Sequence, residues 1–230
     1  MSTRKKLLHL IIGEGALEVI PTKLLKETSI IKNAKNRQKP AERMVLDRSY
    51  HHNAMLSLPN SEKRGRPDLV HLALLEATST PLYMHGFLKV IVECRNGPSI
   101  YLGENVRLPR SYPRFLGLIE QLFLENSVSF KSKDLLTTGE GGLKSIATHL
   151  KPTKIIGVTA LLPEAVKEVA RLLSDQERPM LVVGGFPRGQ FDKETAEKFD
   201  ETISIGIDHL DAHLVIGRIL YEYENLVMKE

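Results

Sequence analysis

A single cysteine, Cys94, occurs in the 230 residues. No internal disulfide can form, and the chain suits a reducing compartment. The flank Val90-Ile91-Val92-Glu93 reads as strand, so Cys94 is better explained as a small buried hydrophobe than as a nucleophile. No cysteine set, and no helical pair of histidines flanking a glutamate, could bind zinc, so no metal is expected. His51 and His52 are adjacent and diverge on a helix, which suits surface or polyanion contact better than a shared ion. Long apolar runs are also lacking. Leu7 to Ile12, after Arg4-Lys5-Lys6, faintly resembles a signal peptide, but it is short, His9 interrupts it, and no small-residue cleavage pattern follows. Nothing nears the roughly 20 apolar residues of a membrane-spanning helix. The reading is a soluble, cytoplasmic protein with no membrane partner.

Several ligand motifs are missing as well. No phosphate loop ending in Gly-Lys-Ser/Thr occurs. Gly13-Glu14-Gly15 begins a dinucleotide fingerprint, but Glu18 stands where its third glycine belongs. There is no internal repeat, and no linker rich in Pro, Gly or Ser divides the chain. One domain over residues 1–230 is expected.

What is present is arginine. Arg107, Arg110 and Arg114 share the stretch Val106-Arg107-Leu108-Pro109-Arg110-Ser111-Tyr112-Pro113-Arg114-Phe115. Its two prolines keep most of it from being ordinary helix. Three permanent charges held close together suit a polyanion, because guanidinium forks match phosphate oxygens and stack on bases. A solvated loop paired with carboxylates is the competing account. The charge distribution favours the polyanion. Residues 1–133 carry 21 Lys+Arg against 12 Asp+Glu, and residues 134–230 carry 11 against 16. The basic part meets a polyanion and the acidic part does not.

Leu7 to Ile12 reads as a buried strand, followed by an amphipathic helix through Leu24-Leu25. Lys32 to Pro40 is polar, basic and aperiodic, and reads as a mobile loop. Met44 to Leu46 reads as a short strand, Ser49 to Leu58 as helix, and Pro59 to Arg66 as loop. Pro67 opens a helix. Leu88 to Glu93 and Ser99 to Leu102 are strands around the hairpin signal Asn96-Gly97. Pro113 opens a helix carrying Leu116, Ile119, Leu122 and Phe123, its start marked by Ser111. Strands at Ile155–Thr159, Met180–Val183 and Thr202–Ile205 then alternate with helices at Pro163–Leu173, about Lys193–Lys198 and about Leu210–Glu224. Such alternation implies an α/β fold with a mostly parallel sheet.

Ligands of open α/β sheets sit at the carboxyl ends of strands. Three such ends cluster in the second half: Gly157-Val158-Thr159, the loop Gly184-Gly185-Phe186-Pro187-Arg188-Gly189, and Ser204-Ile205-Gly206-Ile207. Together they could cradle an adenine and ribose by main-chain contacts; singly they are tight turns. In Arg64-Gly65-Arg66-Pro67-Asp68, Asp68 could hold the Arg66 guanidinium in a fixed pose, or serve only as a helix N-terminal acid. His71 follows on the same helical face as a polar neighbour.

Several of these segments resemble one family. Leu46-Asp47-Arg48-Ser49-Tyr50-His51-His52, Arg66-Pro67-Asp68-Leu69-Val70-His71, Arg107-Leu108-Pro109-Arg110 with Arg114, the 184–189 glycine loop and Ser204 to Leu210 are similar to the small-subunit ribosomal RNA pseudouridine-N1 methyltransferases. These form an archaeal and eukaryotic branch of the SPOUT methyltransferases, also known as ribosome-assembly factors. The resemblance runs from about Leu7 to the C-terminus and is of the archaeal type. It implies an α/β sheet with a C-terminal trefoil knot at about residues 154–230 and a family-specific insertion in the basic part. It also implies a homodimer, bound S-adenosylmethionine, a pseudouridine-containing ribosomal RNA loop as substrate, and no DNA partner. By the family pattern Arg66, Arg107, Arg110 and Arg114 contact RNA, and Asp68 steadies Arg66. Thr159, Gly184, Gly189, Gln190, Phe191, Ser204, Ile205, Gly206, Ile207, Asp208 and His209 would line the cofactor pocket. Two positions depart from the pattern: His209 replaces a common proline, and Asp211 a common small polar residue.

The implied reaction is methyl transfer to N1 of pseudouridine, within small-subunit assembly. Arg66 and Asp68 are the expected catalytic pair. Arg66 would stabilise the developing anionic base, and Asp68 is a weaker candidate as general base because pairing with arginine lowers a carboxylate's pKa. A non-catalytic RNA-binding assembly factor is the alternative.

Overall fold

The strand Leu8–Gly15, β1, is buried at all eight positions. In the computed structural model, which describes residues 6–160, 163–204 and 210–228, it lies at the centre of an eight-stranded sheet. The other strands are β2 (Leu88–Cys94), β3 (Ser99–Leu102), β4 (Ser127–Phe130), β5 (Lys133–Gly139), β6 (Lys154–Ala160), β7 (Pro179–Gly184) and β8 (Glu201–Ser204). Their order is β4-β5-β3-β2-β1-β7-β6-β8. From β2 through β8 the neighbours are parallel, and β3, β5 and β4 extend the sheet antiparallel on one side. The expected mostly parallel α/β sheet is present.

The helices are α1 (Thr28–Arg37), α2 (Arg48–Met55), α3 (Pro67–Thr78), α4 (Pro81–Met84), α5 (Tyr112–Glu125), α6 (Leu143–Leu150), α7 (Pro163–Ser174), α8 (Lys193–Ala196) and α9 (Ala212–Val227). Side chains of β1 alternate between two cores, as the strand period requires. Leu8, Leu10 and Ile12 join the large core under α3, α5, α7 and α9. Ile11 joins a smaller core on the opposite face with Leu143 and Ile146 of α6, Met180, Val182 and Phe191. A third core, with Ile20, Ile30, Met44, Leu46 and Met55, belongs to the segment inserted between β1 and α3.

That inserted segment departs most from the sequence reading. Residues 32–37, expected as mobile loop, are helical within α1. Ile30 on its inner face is fully buried, and one apolar anchor with tertiary cover outweighs weak periodicity. The helix expected through Leu24-Leu25 is only a 3-10 turn at Thr22–Leu24. The strand expected at Met44 to Leu46 reduces to one bridge, Val19 to Val45. His51, expected at the surface, is 1% exposed and accepts a hydrogen bond at Nδ1 from the Asp47 N–H. Only His52 is exposed.

Candidate active site

Gly65 has φ of +63°, and a Cβ there would meet Met55 Cε at 2.6 Å, so glycine alone fits. This turn delivers Arg66 to the start of α3, where Pro67 occupies the first helical turn. The Arg66 N–H donates to the Ala16 carbonyl at 3.1 Å, tying the helix start to the carboxyl end of β1. The guanidinium grips Asp68 in a fork: Nε donates to Oδ1 and Nη2 to Oδ2, each at 2.8 Å. The Asp68 hydrogen bond is the largest influence raising the Arg66 pKa, and the charges of Asp68, Asp211 and Asp47 add to it.

Arg66 also borders a cavity of about 120 Å³ at the carboxyl ends of β6 and β7. Val158, Val183, Gly184, Phe186, Gly189 and Leu210 form part of its wall, with Asp211 and Arg188 beside Arg66. The expected glycine loop and the expected catalytic arginine, far apart in sequence, therefore meet. Gly189 adopts φ of +92° to turn the loop. Gln190 and Phe191 lie beyond the cavity wall: Phe191 packs edge-on against Phe186 and Phe199 in the smaller core. Thr159 lies in β6 and Ser204 ends β8. Ile205, Gly206, Ile207, Asp208 and His209 lie outside the described residues. A larger recess of about 1060 Å³ lies on the α6 side, and no sequence-predicted site residue lines it.

His71 carries the connection to the arginine stretch. Its Nε2 lies 2.7 Å from the Pro109 carbonyl, and its ring stacks on Phe115 at 4.2 Å between centroids. The helix holding Asp68 is thereby bonded to the stretch between Arg107 and Arg110. The Tyr112 hydroxyl donates to Asp47 Oδ2 at 2.5 Å, fixing the start of α5 against α2. Burial first, then Asp47, pushes the Tyr112 pKa up. Ser111 stands at the N-cap of α5 but makes no side-chain capping bond. Arg107, Arg110 and Arg114 are all exposed, and none forms an ion pair among the described residues. A loop whose arginines served local carboxylates would show such pairs.

A family model described as EMG1/NEP1 methyltransferase matches residues 10–224. The chain belongs to this family. It is similar to the ribosomal RNA small subunit methyltransferase Nep1 of Thermococcus sibiricus, with 39% identity over 96% of this chain and 100% of that one. The protein of the same name from Thermococcus onnurineus is 37% identical, again over 96% and 100%. A crystal structure of Archaeoglobus fulgidus Nep1 bound to S-adenosylhomocysteine superposes with a TM-score of 0.81 at 32% identity, covering 96% of this chain and 98% of that one. Family membership accounts for the joint presence of the arginine stretch and the glycine loop.

Residues that sequence reasoning missed lie around the loop. Glu18, noted only as an obstacle to a dinucleotide motif, is 4% exposed and accepts from Arg64 Nε at 2.7 Å and Nη2 at 2.6 Å. Buried Lys63, Glu14 and Arg95 form a second network with the half-exposed Asp192. Their long separations in sequence left no local signal.

Proposed function

We propose that this protein transfers a methyl group from S-adenosylmethionine to N1 of a pseudouridine in small-subunit ribosomal RNA. The observation that carries the reading is that Arg66, whose guanidinium Asp68 holds in a fork, borders the glycine-loop cavity. The cavity suits an adenosyl group: its wall combines apolar side chains with main chain at strand ends. The Archaeoglobus relative, solved with S-adenosylhomocysteine, supports the same cofactor.

When bound, the cofactor supplies an electrophilic sulfonium methyl group. The chain's own residues position the acceptor. Both Asp68 oxygens accept from Arg66 through Nε and Nη2, and among the described residues Nη1 has no partner, so its N–H groups serve the base. Those donors stabilise negative charge on the pseudouridine ring as its N1 proton passes to solvent water. Asp68 acts as a brace, since its oxygens are already engaged. Arg107, Arg110 and Arg114 hold the backbone of the RNA while the target base leaves its stack, at a cost of a few kcal/mol that is least in a loop.

A homodimer and a knotted C-terminal half belong to this reading. Leu214 and Tyr221, two turns apart on one face of α9, are 43% and 64% exposed, an apolar pair that suits a second copy. Ile219, between them, is core. The chain passes from β7 to β8 across β6, which suits a threaded crossover. Tritiated methyl transfer to a pseudouridine-containing loop, with the uridine loop as control, tests the activity. Equal incorporation into both RNAs would overturn it.

A further inference from the structure

Lys63 is 8% exposed, although lysine is rarely buried without a purpose. Its ammonium donates to the Gln190 carbonyl and to Asp192 Oδ1 at 2.8 Å, and lies 3.4 Å from Glu14 Oε2. It also sits 4.8 Å from the centroid of the Phe186 ring. All these contacts except Glu14 belong to the loop that follows β7. Glu14 completes the clamp from the end of β1. It holds a left-handed φ of 48°, accepts from the Asp192 N–H at 2.6 Å, and accepts from Arg95 Nη1 at 2.6 Å. Arg95 Nη2 then closes the ring on Asp192 Oδ2.

Lys63 also opens the segment that ends at Arg66. Successive side chains there are held from different directions: Lys63 by the loop, Arg64 by Glu18, and Arg66 by Asp68. Phe186 and Gly189 of the loop share the cavity wall with Arg66. An ion network built mostly of buried groups adds little net stability over an apolar replacement, but it does fix geometry. We propose that Lys63 is a positioning residue that locks the cofactor loop to the Arg66 segment, so that the cofactor and RNA sites are set as one unit. This inference rests on the functional reading above.

Calorimetric binding of S-adenosylhomocysteine to the intact protein, with and without a pseudouridine-containing RNA loop, tests it. In Lys63→Met the affinity for S-adenosylhomocysteine falls about tenfold, within the ordinary range of site coupling. KM for the cofactor rises more than kcat falls, and Lys63→Arg restores most of the affinity. RNA and S-adenosylhomocysteine reinforce each other's binding in the wild type, and this reinforcement is lost in Lys63→Met, since coupling is reciprocal. Unchanged affinity in folded Lys63→Met overturns the proposal. If that variant does not fold, Asp192→Asn decides, because Asp192 is half exposed: weaker binding supports the clamp, and wild-type binding overturns it. Wild-type protein that binds no S-adenosylhomocysteine overturns the cofactor reading itself, and the clamp with it.

Discussion

Asp68 grips Arg66 through both carboxylate oxygens at 2.8 Å, two residues apart across Pro67. Proline limits the backbone between them, so the fork is held by local geometry as well as by charge. The pair is only partly buried, at 34% and 39% side-chain exposure, which leaves the guanidinium open to a ligand.

Replacing Arg66 with lysine removes the fork and the directed Nη1 donors. Single-turnover methyl transfer should slow by about 100-fold, the scale of losing one oriented donor to a developing anion. Asp68→Asn should cost about tenfold or less, because the amide oxygen still accepts one bond. A loss for Asp68→Asn as large as that for Arg66→Lys would make Asp68 the proton acceptor.

Arg107→Ala, Arg110→Ala and Arg114→Ala should each weaken RNA binding. The slope of log K against log salt should flatten by about 0.7 to 1 unit per arginine. Filter binding across a salt series measures it. Parallel lines for wild type and variants would remove these arginines from the phosphate contacts.

His9, His51 and His71 all have pKa values lowered from 6.5, with burial as the largest cause. Lys89 adds to the shift at His9 and Arg37 at His51, while Asp47 opposes it at His51 and the Pro109 carbonyl at His71. The folded state therefore binds fewer protons than the unfolded state. This contribution is fully present above the unfolded value of 6.5 and is lost as pH falls through 6.5 toward the lower folded values. Tm should fall between about pH 7.5 and about pH 5.5, and less steeply in His71→Phe. A Tm that rises over that range would contradict the assignment. His71→Phe should also weaken RNA binding while sparing cofactor binding, because it frees Pro109.

Glu18→Ala would leave Arg64 charged and 8% exposed without its carboxylate. Losing one partner of a buried pair costs about 3–5 kcal/mol. Urea unfolding at equilibrium measures this. A cost below about 1 kcal/mol would mean that Arg64 turns out to solvent.

Local patterns are enough for the strands β1, β2, β3, β6, β7 and β8 and for α2, α3, α5, α7, α8 and α9, because apolar periodicity and proline starts act within a few residues. The antiparallel hairpin β4–β5 and the helices α4 and α6 are not among the elements expected from the sequence. Exposed, polar strands such as Ser127–Phe130 carry little periodic signal. Helix α1 stands where a loop is expected because its stability comes from Ile30 packing on the insertion's own core, a contact invisible to a window of sequence.

The sequence by itself determined which arginines are clustered, which aspartate stands beside Arg66, and where glycines end a strand. These are properties of neighbours along the chain. Only the tertiary structure decided which groups act together. It set Arg66 at the rim of the glycine-loop cavity, bonded His71 to Pro109, and buried Lys63 against a loop 127 residues away. The reason is physical. A parallel sheet gathers the carboxyl ends of β1, β7 and β6 at one edge whatever their separation in sequence, and it is at that edge that charges with no local partner find one another.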